Sequence, residues 1–99
     1  MDAFEQAQAD ATMCDRYISN ADYRRQKAAL TRAVNSKDVV KILDAIEKTL
    51  DEWEGKAWPD DWHRWRRALD DVFYAYTTNT VQVDYTLIER FHDLSDRLN

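Results

Sequence analysis

From Val39 to Trp53 the chain places apolar side chains at Val39, Leu43, Ile46, Leu50 and Trp53, alternating steps of four and three residues. That spacing keeps them on one side of a 3.6-residue turn and predicts an amphipathic helix with a single buried stripe. Gly55 stands just past its end, where a residue free to take positive φ closes a helix. A second stripe runs through Trp62, Trp65, Leu69, Val72, Phe73 and Tyr76. Pro59 suits the first turn of that helix, and Asp60 and Asp61 complement its positive end.

The flanking segments carry weaker versions of the same pattern. Phe4, Ala7, Ala11, Cys14 and Ile18 form an N-terminal stripe. Ser19 and Asn20, with Asp22 three residues after Ser19, either start a second helix or dent a continuous one. Tyr23, Leu30 and Val34 make its expected apolar face, with Arg25 and Arg32 pointing away. In "VNSKD" the pattern breaks, and Ser36 is the expected N-cap of the Val39 helix. "TTNT", residues 77–80, reads as a loop. "VQVDYT" alternates like a strand, but a lone strand has nothing to pair with. Asp84 is therefore expected to cap a last helix with Leu87, Phe91, Leu94 and Leu98 inward.

One glycine and one proline in 99 residues leave little material for tight turns, which argues against a β-rich fold. The expectation is a single domain over residues 1–99, all-α, a small bundle of four to five amphipathic helices. No apolar run approaches the ~20 residues that span a bilayer, so no membrane partner is implied. The opening "MDAFEQAQAD" has neither the basic nor the apolar region of a signal peptide. With Cys14 as the only cysteine, the simplest location is the cytoplasm.

The net charge of −5 is distributed in blocks: −4 over Met1–Asp22, +5 over Tyr23–Lys41, −5 over Ile42–Asp61, +1 over Trp62–Tyr76 and −2 over Thr77–Asn99. Such blocks either pair within the molecule or face a partner.

"WEGKAWPDDWHRWRRALDD" holds all four tryptophans. Trp53, Trp62 and Trp65 read as the bulky corner between two antiparallel helices. Trp58, in the turn itself, has no stripe partner and is expected to stay partly exposed. The acid–x–x–His pairs Asp60–His63 and Glu89–His92 have metal-ligand spacing. At about 100° per residue they point away from their helices' stripes, so surface histidines are the better reading and no metal or other cofactor is implied.

The row Asp44, Glu47, Asp51 and Glu54 flanks the core stripe of the Val39 helix. It can border the core opposite arginines of a neighbouring helix, face a basic protein partner, or hold Mg²⁺ against a nucleotide phosphate. Arg24, Arg25 and Arg32 are the least compensated cations and the basis for nucleic-acid binding. Arg64, Arg66 and Arg67 are expected to pair with Asp60, Asp70 and Asp71 at helical spacing. Cys14, on an apolar stripe, reads as core rather than nucleophile, and a single glycine excludes a glycine-rich phosphate loop.

"WPDDWHRWRRALDD", Trp58–Asp71, resembles a stretch of small proteins of actinobacterial phages and their hosts, and the similarity reaches back through Ala29–Ala57. That group carries no assigned activity, so no catalytic residue transfers. The resemblance implies a setting in which small accessory proteins bind and redirect a host protein.

The expected function is thus a non-enzymatic, phage-type accessory factor that docks on a protein and modulates or inhibits it, with Asp44, Glu47, Asp51, Glu54 and Trp58 as the partner-binding residues. A nucleic-acid-binding module on Arg24, Arg25 and Arg32 is the first alternative, and a Mg²⁺-dependent all-α nucleotide pyrophosphohydrolase on the carboxylate row is the second. A homodimer is also expected, since pairing two copies covers any apolar strip that so small a bundle leaves open.

Overall fold

The computed structural model describes residues 17–99. The predicted stripe from Phe4 to Cys14 lies outside the described residues. Four helices follow in order: α1 (Asn20–Ser36), α2 (Val39–Trp53), α3 (His63–Asn79) and α4 (Tyr85–Arg97). The architecture is all-α, with no strand among the described residues.

Ser19 settles how α1 begins. Its backbone is extended, and its hydroxyl oxygen accepts from the Asp22 amide at 3.1 Å. A new helix therefore starts there, satisfying one of the donors that every helix N-terminus leaves open. Tyr17, just upstream, bridges to Ala57 and ties the start of α1 to the α2–α3 connection.

The buried strip of α1 is Gln26, Leu30 and Ala33 rather than Tyr23, Leu30 and Val34. Val34 is 42% exposed. α1 packs on α2 alone among its close helix neighbours, so a narrow strip suffices, and a polar residue takes one of its places.

Ser36 does not cap α2. It is the last residue of α1, where its hydroxyl donates to the Ala33 carbonyl, and Lys37 then turns left-handed at φ 58°. Asp38 takes the cap instead, accepting from the Lys41 amide at 3.3 Å. The hydroxyl of Ser36 is already engaged by its own last turn, which leaves the extended Asp38 to serve the next helix.

α2 is the centre of the bundle, packed against all three other helices. Leu43, Ile46, Leu50 and Trp53 are buried as the spacing predicts, and Val39 is half-buried at the rim. Ile42 and Thr49 join them, because three neighbours cover a wider arc than one stripe. Thr49 meets the cost of burying a hydroxyl by donating to the Ala45 carbonyl at 2.8 Å. Gly55, at φ 75°, provides the left-handed residue that ends the helix.

α3 begins later than Pro59 suggests. Residues 60–62 form a turn in which the Trp62 amide donates to the Pro59 carbonyl at 3.1 Å, and the helix starts at His63. It then runs through Asn79, so residues 77–79 are helical and not loop. Thr77 is accommodated because its hydroxyl donates back to the Phe73 carbonyl at 2.9 Å. Trp65, Leu69 and Val72 are buried, with Trp62, Phe73 and Tyr76 packed against the core.

At α4 the cap falls on Asp84, which accepts from the Thr86 amide at 2.9 Å and holds its carboxyl below the usual carboxylate range through the Thr86 bonds. Phe91, Leu94 and Leu98 are buried, and Leu87 packs beside them.

Candidate interaction surface

The tryptophan corner is a packing device. Trp53 and Trp65 are fully buried and meet edge-on with ring centroids 4.8 Å apart. Trp58 is half-buried, as expected, but it does have partners: Trp53 at 5.6 Å and Trp62 at 5.5 Å. The turn folds it back across the ends of α2 and α3, a placement that stripe periodicity within one helix does not reveal. Tyr23 closes the far side, 6.1 Å from Trp65, and donates its hydroxyl to Asp61.

The carboxylate row meets arginines of α4. Arg90 Nη2 lies 2.9 Å from Asp44 Oδ1 and 2.7 Å from Glu47 Oε2, and Arg97 lies 2.9 Å from Asp51. Because Arg90 meets the first half of α2 and Arg97 the second, α4 runs parallel to α2 along its acidic flank. Glu54 is exposed, with no ion pair among the described residues. Burial alone would lower the Arg90 pKa, but its bonds to Asp44 and Glu47 outweigh that and raise it. Three of the four predicted carboxylates thus have an internal role while keeping a solvent-facing edge.

The basic helix is partly engaged. Arg25 reaches Asp22 at 3.1 Å and Glu52 at 3.3 Å. Arg24 and Arg32 are exposed and make no ion pair among the described residues. On α3, Arg66 pairs with Asp70 at 3.4 Å as the spacing predicts, whereas Arg64 turns to Asp61 instead of Asp60. Asp61 precedes the helix and is already fixed by Tyr23, so it presents the better-placed acceptor.

Asp60, His63, Glu89 and His92 are all exposed. Among the described residues no group of three or more His, Cys, Asp or Glu is placed to hold a metal ion. Cys14 lies outside the described residues.

A feature that the stripes did not announce lies between α1 and α3. Tyr23 of α1 bonds Asp61 just before α3, and beyond that point an open groove of about 560 Å³ lies between the two helices over the start of α2. Leu30 and Val34 form one wall, Val39 and Ile42 the floor, and Ala68, Val72, Ala75 and Tyr76 the other wall. Arg64, Arg67 and Lys37 line it as cations and Asp71 as the single carboxylate.

The groove opens at the end of the bundle shared by the C-termini of α1 and α3 and the N-termini of α2 and α4. Among the described residues, five of the six large exposed apolar ones lie at that end: Val34, Val40, Tyr74, Val81 and Tyr85. Tyr74 and Tyr85 are 72% and 77% exposed, well beyond what a scattered surface aromatic requires. The sequence signal lies in Val40, Tyr74, Val81 and Tyr85, apolar residues that fall off every stripe, whereas Val34 belongs to the expected face of α1.

No family model, curated protein or solved structure matches this chain. Among the described residues no helix is long and apolar enough to cross a membrane.

Proposed function

We propose that this chain is a non-enzymatic protein-binding factor, an accessory protein that docks on another protein and modulates or inhibits it. The observation that carries this reading is the end of the bundle at which the groove opens: Val34 lines the groove, and Val40, Tyr74, Val81 and Tyr85 are exposed on the same end. Concentrated apolar surface is costly to leave in water and marks sites of association. Aromatic residues in such places anchor protein partners, because they bury much area for few frozen torsions. The resemblance of the Trp58–Asp71 stretch supports a phage-type setting for such a factor.

The acidic row supports the reading less strongly than its composition suggested. Asp44, Glu47 and Asp51 are partly satisfied by Arg90 and Arg97. Their solvent-facing edges can still steer a basic partner without forming its anchor. A Mg²⁺ ion on this row would have to share Asp44 and Glu47 with a guanidinium already in contact with both, which weighs against the hydrolase alternative.

The test is affinity capture from the natural host with wild type beside Val81→Asp combined with Tyr85→Asp, followed by binding of the purified captured protein. The proposal expects a specific partner that the double variant loses while its thermal melt stays near wild type. Salt-sensitive binding to DNA or RNA, or Mg²⁺-dependent turnover of a nucleoside triphosphate, with no protein partner, would replace it with one of the alternatives.

A further inference from the structure

We infer that the groove between α1 and α3 is a receptor for one amphipathic helix of the protein partner, a helix with an apolar face and carboxylates on its flanks. The inference rests on the protein-binding reading and specifies the partner's chemistry.

Its shape is the first argument. α1 and α3 both pack on α2 and are joined to each other at Tyr23, which bonds Asp61 and packs on Trp65. On α3 the groove runs from Arg64 to Thr80 and on α1 from Leu30 to Asn35. Its longer wall thus rises roughly 24 Å, the length of about 16 helical residues, and α1 faces roughly 8 Å of it. Ala68 and Ala75 line the groove from α3, and Val34 lines it from α1. Small residues there keep the walls low enough for a helix to approach. An apolar slot between two helices takes a third by presenting its walls to an i, i+3, i+4, i+7 stripe.

Charge selects the flanks. Arg64, Arg67 and Lys37 line the groove against Asp71 alone, in a chain whose net charge is −5. Arg67 makes no ion pair among the described residues, and Arg64 pairs only with Asp61, at 3.4 Å and largely in solvent. A helix carrying Glu or Asp beside its apolar stripe would meet these cations as it seats, whereas one flanked by lysines would be repelled.

The probe is a synthetic helical peptide of about 16 residues, with leucines on the stripe and glutamates on both flanks, beside a twin in which lysines replace the glutamates. Each is titrated into isotope-labelled full-length protein and followed by amide shifts. The acidic peptide should give saturable shifts at Leu30, Val34, Ala68 and Ala75, and the lysine twin should bind at least about tenfold more weakly at low salt, the gap narrowing as salt rises. Arg67→Glu, which leaves two cations against two carboxylates, should erase that preference, and Ala75→Trp, which fills the slot, should abolish both interactions without lowering the melt.

Absence of saturable shifts in the groove overturns the inference, including where residues 1–16 or a second copy already fill it. Equal binding of the two peptides overturns it as well. If Arg67→Glu and Ala75→Trp retain the captured host partner, the groove assignment falls while the protein-binding reading stands.

Discussion

Trp53 donates its indole Nε1–H to Gln26 Oε1 at 2.7 Å, in the buried seam between α2 and α1. Gln26 in turn donates from Nε2 to Glu52 at 2.6 Å, and Arg25 lies against the same carboxylate. A glutamine that is only 4% exposed is thereby satisfied at both ends of its amide.

Replacing Gln26 with leucine should therefore destabilise the fold despite making the core more apolar. The Trp53 donor would be left buried and unpaired, a loss of about 1–3 kcal/mol. Urea denaturation measures it, and a midpoint equal to wild type would show that water reaches the indole.

Trp65 presents the opposite case: its Nε1–H is buried with no acceptor among the described residues. Trp65→Ala should cost about 3–5 kcal/mol through the cavity it opens. Trp65→Phe should cost less than half as much, because the ring that remains carries no unsatisfied donor. Equal losses for the two variants would mean that the indole N–H finds a partner in solution.

Tyr23 and Asp61 predict a dependence on pH. The Tyr23 hydroxyl bond, with Arg64 and Lys27 nearby, holds the Asp61 carboxyl below its ordinary 3.8, while burial and then Asp61 itself raise the Tyr23 phenol above its ordinary 10.0. A depressed acid stabilises the fold above its unfolded value, and that contribution fades as pH falls through the folded one. A raised phenol stabilises below its unfolded value, and its contribution fades as pH climbs through the folded one. Tyr23→Phe should cost about 0.5–1 kcal/mol at neutral pH, less than a buried bond to a charged group because solvent reaches Asp61. Melts recorded down through the acid range should show the two proteins converging. A gap constant with pH would place the loss in packing instead.

Much of the fold is legible in the sequence. The stripe from Val39 to Trp53 is buried as its spacing predicts because α2 is central, so every residue on that face has a neighbour. Asp84 is legible as a cap because it stands directly before the stripe of Leu87, Phe91, Leu94 and Leu98. Ser36 was misread because cap choice depends on where the previous helix ends, and that is decided by Lys37 turning left-handed. Gln26 was missed because its polarity hides it from any apolar pattern; only the position of the Trp53 indole explains it. The carboxylate row was visible as a flank, but Arg90 and Arg97 could be named as partners only once α4 was known to lie parallel to α2. The groove follows from how α1 and α3 diverge, which no single-helix periodicity encodes.

Charge reversal on the acidic row separates its internal role from an external one. Glu47→Lys with Asp51→Lys would set cations against Arg90 and Arg97, so the fold should lose about 1–2 kcal/mol from exposed pairs turned repulsive. Partner recovery should survive at temperatures where the variant remains folded. An unchanged melt with lost capture would instead make the row the docking face.

The most direct measurement is the affinity of the purified captured partner for wild type, for that acidic-row reversal, and for Val81→Asp with Tyr85→Asp, all below their melts. The account predicts that the row reversal binds within a few-fold of wild type, and that the bundle-end variant weakens binding by more than about tenfold through faster dissociation. Binding unaffected by the bundle-end changes and abolished by the row reversal would contradict it.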